Sequence, residues 1–418
     1  MQVVVAGQGY VGLPLAVHAA MVGHRVIGYD VDEHRVQQLA SGHSHVGDVS
    51  CTRLRDVQES GAYSVTTDSA ALAGFDIAVI TVPTPLRDGV PDLTYIETSA
   101  RTLGEHVRPG STVVLESTTY PGCTEELLVP ILEKTSGLRA GEDFLAGFSP
   151  ERIAQGNKQL SFVSTPKVVS GINARSLEVI KGFYDSIVLT TVPVSGPKVA
   201  ELTKLVENTF RLVNISLVNE LATLTAPLGV NIWEAIDAAA TKPIGFTRFT
   251  PGPGVGGHCL PVDPLFLAWK IEQELGVPFR FVGLADEVNR HMPDYVVQRV
   301  VAGLDKRGLP VEGSRVLLLG LTYKRNVTDL RNSPSARVAE LLTGLGAEVY
   351  GADPNVPDSD TGKLNVPRVD ASAQEVAAAD AVVLLVGHDR FDFAMIEQHA
   401  SYVLDCRNHL SGANVETL

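Results

Sequence analysis

Short, continuous apolar runs, each closed by glycine or by a hydroxyl-bearing loop, alternate along this chain with longer stretches of helical period. Residues 3–6 form the first run, as expected of a parallel strand covered on both faces. Gly7-Gln8-Gly9-Tyr10-Val11-Gly12 follows at once, residues 12–22 read as an apolar helix ending at Gly23, and residues 25–29 read as a second strand closed by Asp30. Further buried strands are expected at 75–80, leading into Thr81-Val82-Pro83-Thr84-Pro85, and at 111–116, leading into Ser117-Thr118-Thr119. Another short strand precedes Phe148-Ser149-Pro150-Glu151-Arg152. From Lys198 to about Leu228 there is no glycine and only Pro227, and Leu202, Leu205, Val206, Val213, Leu217 and Leu221 recur at helical spacing, which predicts one long helix. After helical sequence to about Gly308 the alternation restarts, with strands expected at 315–320, 347–351, 381–386 and 402–405 and a helix at 334–345. The predicted fold is α/β: two Rossmann-like doubly wound domains joined by a central long helix and helical segment. Its boundaries fall at 1–196, 197–308 and 309–418.

Composition narrows the partners. A chain of 418 residues, 44% apolar, has enough material for two or three cored domains. Its net charge of −14 argues against nucleic acid and anionic membrane as partners, so a phosphate-bearing ligand needs a local basic patch. Cys51, Cys123, Cys259 and Cys406 are scattered, without disulfide or zinc spacing, so no metal site is assigned and a reducing cytoplasm fits. No run approaches the roughly 18 apolar residues of a membrane span, and the first residues enter a strand without a basic leader segment.

The first candidate chemistry is the glycine turn. In G-x-G-x-x-G between strand and helix, the glycines permit a tight turn and close approach to a pyrophosphate at the helix N-terminus, and an acid about twenty residues on accepts ribose hydroxyls. Asp30 stands at that place and would repel a 2′-phosphate, which favours NAD over NADP. The threonine-bearing loops after residues 80 and 116 lie where an open parallel sheet binds ligands; their hydroxyls either contact ligand or cap the next helix. Glu151 and Arg152 either form a surface turn or face the same cleft. Lys204, Asn208 and Arg211, at i, i+4 and i+7, make a polar stripe on an otherwise apolar helix, better read as a partly buried functional stripe than as a solvated face. The second candidate is Pro251-Gly252-Pro253-Gly254-Val255-Gly256-Gly257-His258-Cys259-Leu260-Pro261-Val262-Asp263-Pro264. Four glycines and four prolines in these fourteen residues exclude a helix or central strand. The loop presents a thiol and, four residues on, a carboxylate: either a site for covalent chemistry or a structural loop with an inert cysteine. In the last domain, Lys324, Arg325, Arg331 and Arg407 at strand ends could supply the positive charge that the acidic whole lacks.

Taken together, these stretches resemble the nucleotide-sugar 6-dehydrogenases, the UDP-glucose/GDP-mannose dehydrogenase family, over essentially the whole length. The likeness rests on Gly7-x-Gly9-x-x-Gly12, Ser149-Pro150-Glu151-Arg152, Glu201-Leu202-Thr203-Lys204-Leu205-x-x-Asn208, Gly256-Gly257-His258-Cys259-x-x-x-Asp263, and Tyr323-Lys324 through Arg331-Asn332-Ser333-Pro334. UDP-glucose members typically carry a lysine before the loop aspartate and Arg-Ile-Gly upstream; here Val262 and Pro243-Ile244-Gly245 stand instead. Thr241-Lys242-Pro243-Ile244-Gly245-Phe246 and Cys259-Leu260-Pro261-Val262-Asp263-Pro264 are most similar to the UDP-N-acetylglucosamine 6-dehydrogenases, with UDP-N-acetylmannosamine dehydrogenases close behind.

The resemblance implies an N-terminal NAD domain, a central dimerisation segment and a C-terminal domain for the UDP-sugar. It also implies oxidation of a sugar C6 alcohol to the acid with two NAD and one water, through a thiohemiacetal and thioester on Cys259. Lys204 and Asn208 would stabilise the oxyanion, Asp263 would orient or activate water, and Glu151, aided by Thr118, would serve hydrolysis. Gln155 stands where UDP-glucose relatives often have a second glutamate, so no role is carried over to it. On the cofactor side the resemblance places Gly7, Gly9, Tyr10, Val11 and Gly12, then Asp30 and Arg35, then Thr81, Pro83, Thr84, Thr118 and Arg331. On the substrate side it places Glu151, Arg152, Lys204, Asn208, Arg211, Gly256, Lys324 and Arg407. A β-hydroxyacid dehydrogenase also combines a Rossmann domain with Lys-x-x-x-Asn, but needs neither Cys259 nor the last domain. A non-catalytic sensor would have lost the thiol, lysine or carboxylate. Zinc alcohol dehydrogenase fits poorly because Cys259 and His258 lack partners at ligand spacing.

Overall fold

In the computed structural model, which describes residues 1–153, 161–357 and 366–418, strands β1 (Gln2–Ala6), β2 (Arg25–Tyr29), β3 (Tyr63–Thr66), β4 (Ile77–Ile80), β7 (Thr112–Leu115) and β8 (Leu145–Phe148) form one parallel sheet in the order 3-2-1-4-7-8. A small antiparallel hairpin, β5 (Leu86–Arg87) with β6 (Val90–Pro91), and a parallel pair, β9 (Lys167–Val169) with β10 (Thr191–Pro193), accompany it. Both faces of the sheet are buried. Val3, Val5 and Val79 face one apolar cluster with Leu13 and Phe183, while Val4, Ala78 and Val113 face a second with Leu103 and Phe148. That two-sided burial is why the strands read as unbroken apolar runs rather than as alternating ones.

The second parallel sheet has the order 12-11-13-14-15, from β11 (Arg315–Leu319), β12 (Glu348–Ala352), β13 (Ala381–Leu384), β14 (Val403–Asp405) and β15 (Val415–Thr417). In both sheets the strand order reverses beside the first strand of its domain, and the crevice at such a reversal is where α/β sheets bind ligands. The helix Arg280–Asp305 packs Met292, Val296, Val300 and Leu304 into the core of the second sheet with Val316, Leu318 and Val383.

The long helix runs Pro197–Thr225 and ends in a short 3₁₀ turn, Ala226–Leu228, before the left-handed Gly229. By contacts the chain divides into two units, Met1–Glu207 with Leu265–Gly276, and Asn208–Pro264 with Val277–Leu418, so this helix contributes to both. The α/β expectation, with a long central helix between two Rossmann-like folds, agrees with the structure. β3, the hairpin, β9, β10 and β15 were not expected from the sequence: they are two to four residues long and lack a full apolar run. Gln155, to which no role was carried over, lies outside the described residues. No helix among the described residues is long and apolar enough to cross a membrane.

Candidate active site

In the first unit the glycine turn joins β1 to the helix Gly12–Met21. A Cβ on Gly12 would fall on the Gly7 carbonyl oxygen and on Thr81 Oγ1, whereas a Cβ on Gly9 would meet nothing within 4 Å. Gly12 is therefore needed for close packing of turn on strand, and Gly9 leaves open space where a pyrophosphate would lie against main-chain N–H groups. Thr81 serves this turn rather than pointing outward: its hydroxyl donates to the carbonyls of Ala6 (2.9 Å) and Gly7 (2.8 Å). Asp30, directly after β2, is buried and accepts from Gln8 N at 2.7 Å and Asp32 N at 3.0 Å. Arg35 Nη1 bridges both Asp30 oxygens at 3.1 and 2.9 Å, which commits the guanidinium to the acid that would repel a 2′-phosphate. These residues fit NAD. Tyr10 and Pro83 are exposed, Val11 and Thr118 half-buried, and Thr84 buried.

Glu151 follows β8 and is buried. Burial pushes its carboxyl above the usual carboxylate range, against the Ile153 N–H and the positive charge of Lys204, which both favour the ionised form. Lys167, on β9, contacts the Glu116 carboxylate and lies 3.6 Å from Glu151 Oε2. Burial pulls the Lys167 ammonium well below its ordinary range, the charge of Lys204 adds to this, and the contact with Glu116 works against both. This buried Glu116–Lys167 pair was not foreseen. No pattern in the sequence announced it.

Arg152, expected on the substrate side, is already engaged: Nη2 meets Glu207 Oε1 at 2.6 Å and Nη1 meets the Pro166 carbonyl at 2.7 Å. Glu201, quoted in a motif without a role, holds the loop after β7 by accepting from Gly122 N (2.5 Å), Thr124 N (2.8 Å) and Thr124 Oγ1 (2.7 Å). Lys204 lies one turn further along the same helix and is buried.

In the second unit Asn208 is buried and its Nδ2 donates to Asp263 Oδ2 at 2.7 Å. Arg211, on the same face, is exposed. Asp263 is the first residue of the helix Asp263–Leu275, and the N–H groups of Val262 and Asp263 donate to the Cys259 carbonyl at 3.2 and 2.8 Å. Cys259 thus precedes a helix N-terminus by one turn. Cys259 is exposed, while burial pushes the Cys406 thiol up to about 12 and raises Cys123 as well. Of the four thiols, Cys259 is the exposed one.

Asparagines hold the Gly/Pro loop. Asn219 Oδ1 accepts from Gly252 N at 2.9 Å, Asn289 Oδ1 accepts from Val255 N, and Asn332 Nδ2 donates to the Gly257 carbonyl at 3.1 Å. Asn219 and Asn289 sit inside helices, where asparagine is a poor former, and that misfit was the available signal. Gly257, at φ +87°, turns the chain so tightly that a Cβ would strike the Tyr323 ring. A Cβ on Gly252 would fall on the Arg407 guanidinium, and a Cβ on Gly256 would crowd the Asn332 carbonyl and Tyr323. Arg407 Nε donates to the Leu385 carbonyl at 2.7 Å, and burial pulls its pKa down. Of the other cations, Arg325 pairs with Asp389 and Arg331 with Asp329, while Lys324 is half-buried.

Models of one family match three consecutive stretches. The NAD-binding domain of the UDP-glucose/GDP-mannose dehydrogenase family matches residues 1–188, its central domain 198–291 and its UDP-binding domain 317–412. Among curated proteins, a UDP-N-acetyl-D-glucosamine 6-dehydrogenase of Pseudomonas aeruginosa is 38% identical over 394 residues, 94% of this chain and 91% of that protein. A UDP-N-acetyl-D-mannosamine dehydrogenase of Pyrococcus horikoshii is 35% identical over 392 residues, 94% of this chain and 90% of that protein. A solved structure of UDP-D-ManNAc dehydrogenase from Pyrococcus horikoshii superposes with a TM-score of 0.91 at 33% identity, covering 100% of this chain and 98% of that one.

Proposed function

The chain belongs to the UDP-glucose/GDP-mannose dehydrogenase family and is an NAD-dependent nucleotide-sugar dehydrogenase; from that premise we propose that it oxidises C6 of UDP-N-acetylglucosamine to the carboxylate through Cys259. The proposal divides the work among residues 1–196 for cofactor, 197–308 for the cysteine loop and dimer contact, and 309–418 for the UDP-sugar. The observation that carries it is the exposed thiol one turn ahead of a helix whose first residue, Asp263, is bonded to Asn208.

NAD would supply the hydride acceptor for each of two oxidations of C6, and in the first of them the C6 hydroxyl proton passes to solvent water. Between them the Cys259 sulfur bonds to the C6 aldehyde carbon, and stabilising the resulting negative charge on the oxygen is assigned to Lys204 as charge and Asn208 as donor. Loss of the second hydride from this thiohemiacetal leaves a thioester. Water then attacks the carbonyl carbon, Glu151 takes the proton, and the C–S bond breaks to return the thiolate and release the acid. Thr118 and Asp263 are assigned to positioning water.

A second reading, UDP-N-acetylmannosamine as substrate, is favoured by the likeness in fold to the Pyrococcus horikoshii structure. The two sugars differ in configuration at C2, remote from the reacting carbon, so one assay separates them. NADH release is measured against a panel of UDP-N-acetylglucosamine, UDP-N-acetylmannosamine, UDP-glucose and GDP-mannose. Two NADH per UDP-N-acetylglucosamine, at the highest kcat/KM of the panel, is expected. One NADH per sugar overturns the thioester route, and a higher kcat/KM for another sugar overturns the substrate.

The long helix also carries an uncovered apolar stripe. Leu202, Val206, Phe210, Leu217, Leu221 and Leu224 are all exposed, and at about 100° per residue they fall within roughly 100° of arc. A second copy of the chain is the proposed cover, since an exposed stripe of this length is an association surface. Light scattering at micromolar concentration is expected to return at least twice the 44.6 kDa chain mass; a monomer overturns the assignment.

A further inference from the structure

Three loops leave the carboxyl ends of β11, β12 and β13, and all three meet at His388, which is completely buried. Its Nδ1 faces two donors, Asn326 N at 3.0 Å and Asn355 Nδ2 at 2.7 Å. Its Nε2 faces Asp353 Oδ2 at 2.9 Å and Thr322 Oγ1 at 3.1 Å. Two donors on one nitrogen and a carboxylate on the other fix the tautomer: Nδ1 accepts and Nε2–H donates.

The same carboxylate ties the loops further, since Asp353 Oδ2 accepts from Leu321 N (2.7 Å) and Thr322 N (3.1 Å), and Oδ1 accepts from Asn355 N (2.9 Å). Burial alone would raise the Asp353 pKa, but the His388 hydrogen bond and these N–H groups hold it below the ordinary range. The Thr322 hydroxyl donates onward to the Lys324 carbonyl at 3.0 Å. Asn326, held at φ 60°, exchanges bonds with Asp389, its Oδ1 accepting from Asp389 N at 3.0 Å and its Nδ2 donating to Asp389 Oδ2 at 2.7 Å. The segment 322–326 is therefore fixed at both ends by one imidazole. Within it, Lys324 is the residue assigned to the UDP-sugar, and Tyr323 backs Gly257, two residues before Cys259.

We propose that His388 is a positioning residue for the sugar-nucleotide site, its Nε2–H tautomer setting the segment that carries Lys324 and supports the cysteine loop through Tyr323. The inference rests on the reading of residues 309–418 as the UDP-sugar domain. A buried ring with four polar partners is more than packing needs, because an apolar side chain of equal volume would spare the fold the cost of satisfying it.

The test is titration calorimetry of the full chain with UDP alone and, separately, with NAD, for His388→Leu and His388→Gln. Leucine removes both functions of the ring, whereas glutamine keeps an N–H donor near the Nε2 position. His388→Leu is expected to weaken UDP binding by at least about tenfold, with the NAD dissociation constant within about twofold of wild type. His388→Gln is expected to fall between the two, and in turnover both variants raise KM for the sugar nucleotide more than they lower kcat. Should the leucine variant fail to fold, the glutamine variant decides by the same split. Wild-type UDP affinity in a folded variant overturns the inference, as does a parallel loss of UDP and NAD affinity. Absence of UDP binding by the wild-type chain overturns the functional reading on which it stands.

Discussion

Replacing Cys259 with serine lowers kcat on the order of a thousandfold, about 4 kcal/mol in barrier, while affinity for NAD and UDP-sugar survives. A serine hydroxyl is scarcely ionised near neutral pH, and its ester is a poorer acyl carrier than a thioester because the alkoxide leaves less readily than a thiolate. The block falls after the first hydride transfer, so product analysis should find aldehyde-level sugar instead of acid. Glu151→Gln blocks later. Its proposed task follows loss of the second hydride, so intact mass should show enzyme carrying the acyl group. Glu151 must be ionised to take a proton from water, and burial sets its pKa above the ordinary value near 4.5. The acid limb of the kcat profile should therefore fall above that value and disappear in the glutamine variant. Near-normal kcat for Cys259→Ser, or full activity with no adduct for Glu151→Gln, removes the covalent route.

Lys167→Met is expected to be the most damaging single change to stability, at about 3–5 kcal/mol, the usual cost of breaking a buried ion pair from one side. Lys167 is buried against Glu116, with Tyr184 Oη donating to the other Glu116 oxygen at 3.3 Å and Glu151 within 3.6 Å. Without the ammonium, Glu116 loses its ion-pair partner and Glu151 is left with the charges of Lys204 and Arg152. A drop in Tm of about 10 °C follows for a domain of this size. The sign with pH is fixed by the direction of the shift. A carboxyl whose folded pKa is raised, as that of Glu151 is, contributes stability that is full below its unfolded pKa and is lost as pH rises through the folded pKa. The deficit of the variant should therefore be larger at pH 8 than at pH 5.5. Glu116→Gln in the same chain should restore more than half of it; thermal unfolding showing less than 1 kcal/mol of loss, or no recovery, refutes the argument.

Where local physics decides the structure, the sequence was legible. Strands buried on both faces are uniform apolar runs, the glycine turn must be glycine at Gly12 because of the Gly7 carbonyl, and a 29-residue helix without glycine declares itself. Asp263 was picked out as the carboxylate of the Gly/Pro loop and Asn208 as part of the polar helix stripe, and the structure joins them directly at 2.7 Å. What stayed hidden depends on contacts between residues far apart in sequence. Glu207, 55 positions away, holds Arg152, a pairing that the sequence does not announce. The Thr81 hydroxyl closes the glycine turn, a contact that the sequence does not announce. The convergence of Asn326, Asn355 and Asp353 on His388 has no periodicity or motif to announce it.

The Pro197–Thr225 helix has one more property, which concerns insertions and deletions rather than substitutions. The proposed mechanism needs Lys204 and Asn208 on adjacent turns, and the count of residues between them is what keeps them in phase. Removing one residue there turns everything downstream by about 100°, swinging Asn208 off Asp263 and bringing Thr209 into its place. Seven added residues make almost two whole turns and restore the phase to within roughly 20°, at the expense of about 10 Å of added length. The helix is thus a ruler graduated in turns: individual marks on its exposed face can be rewritten, but its numbering cannot slip by one.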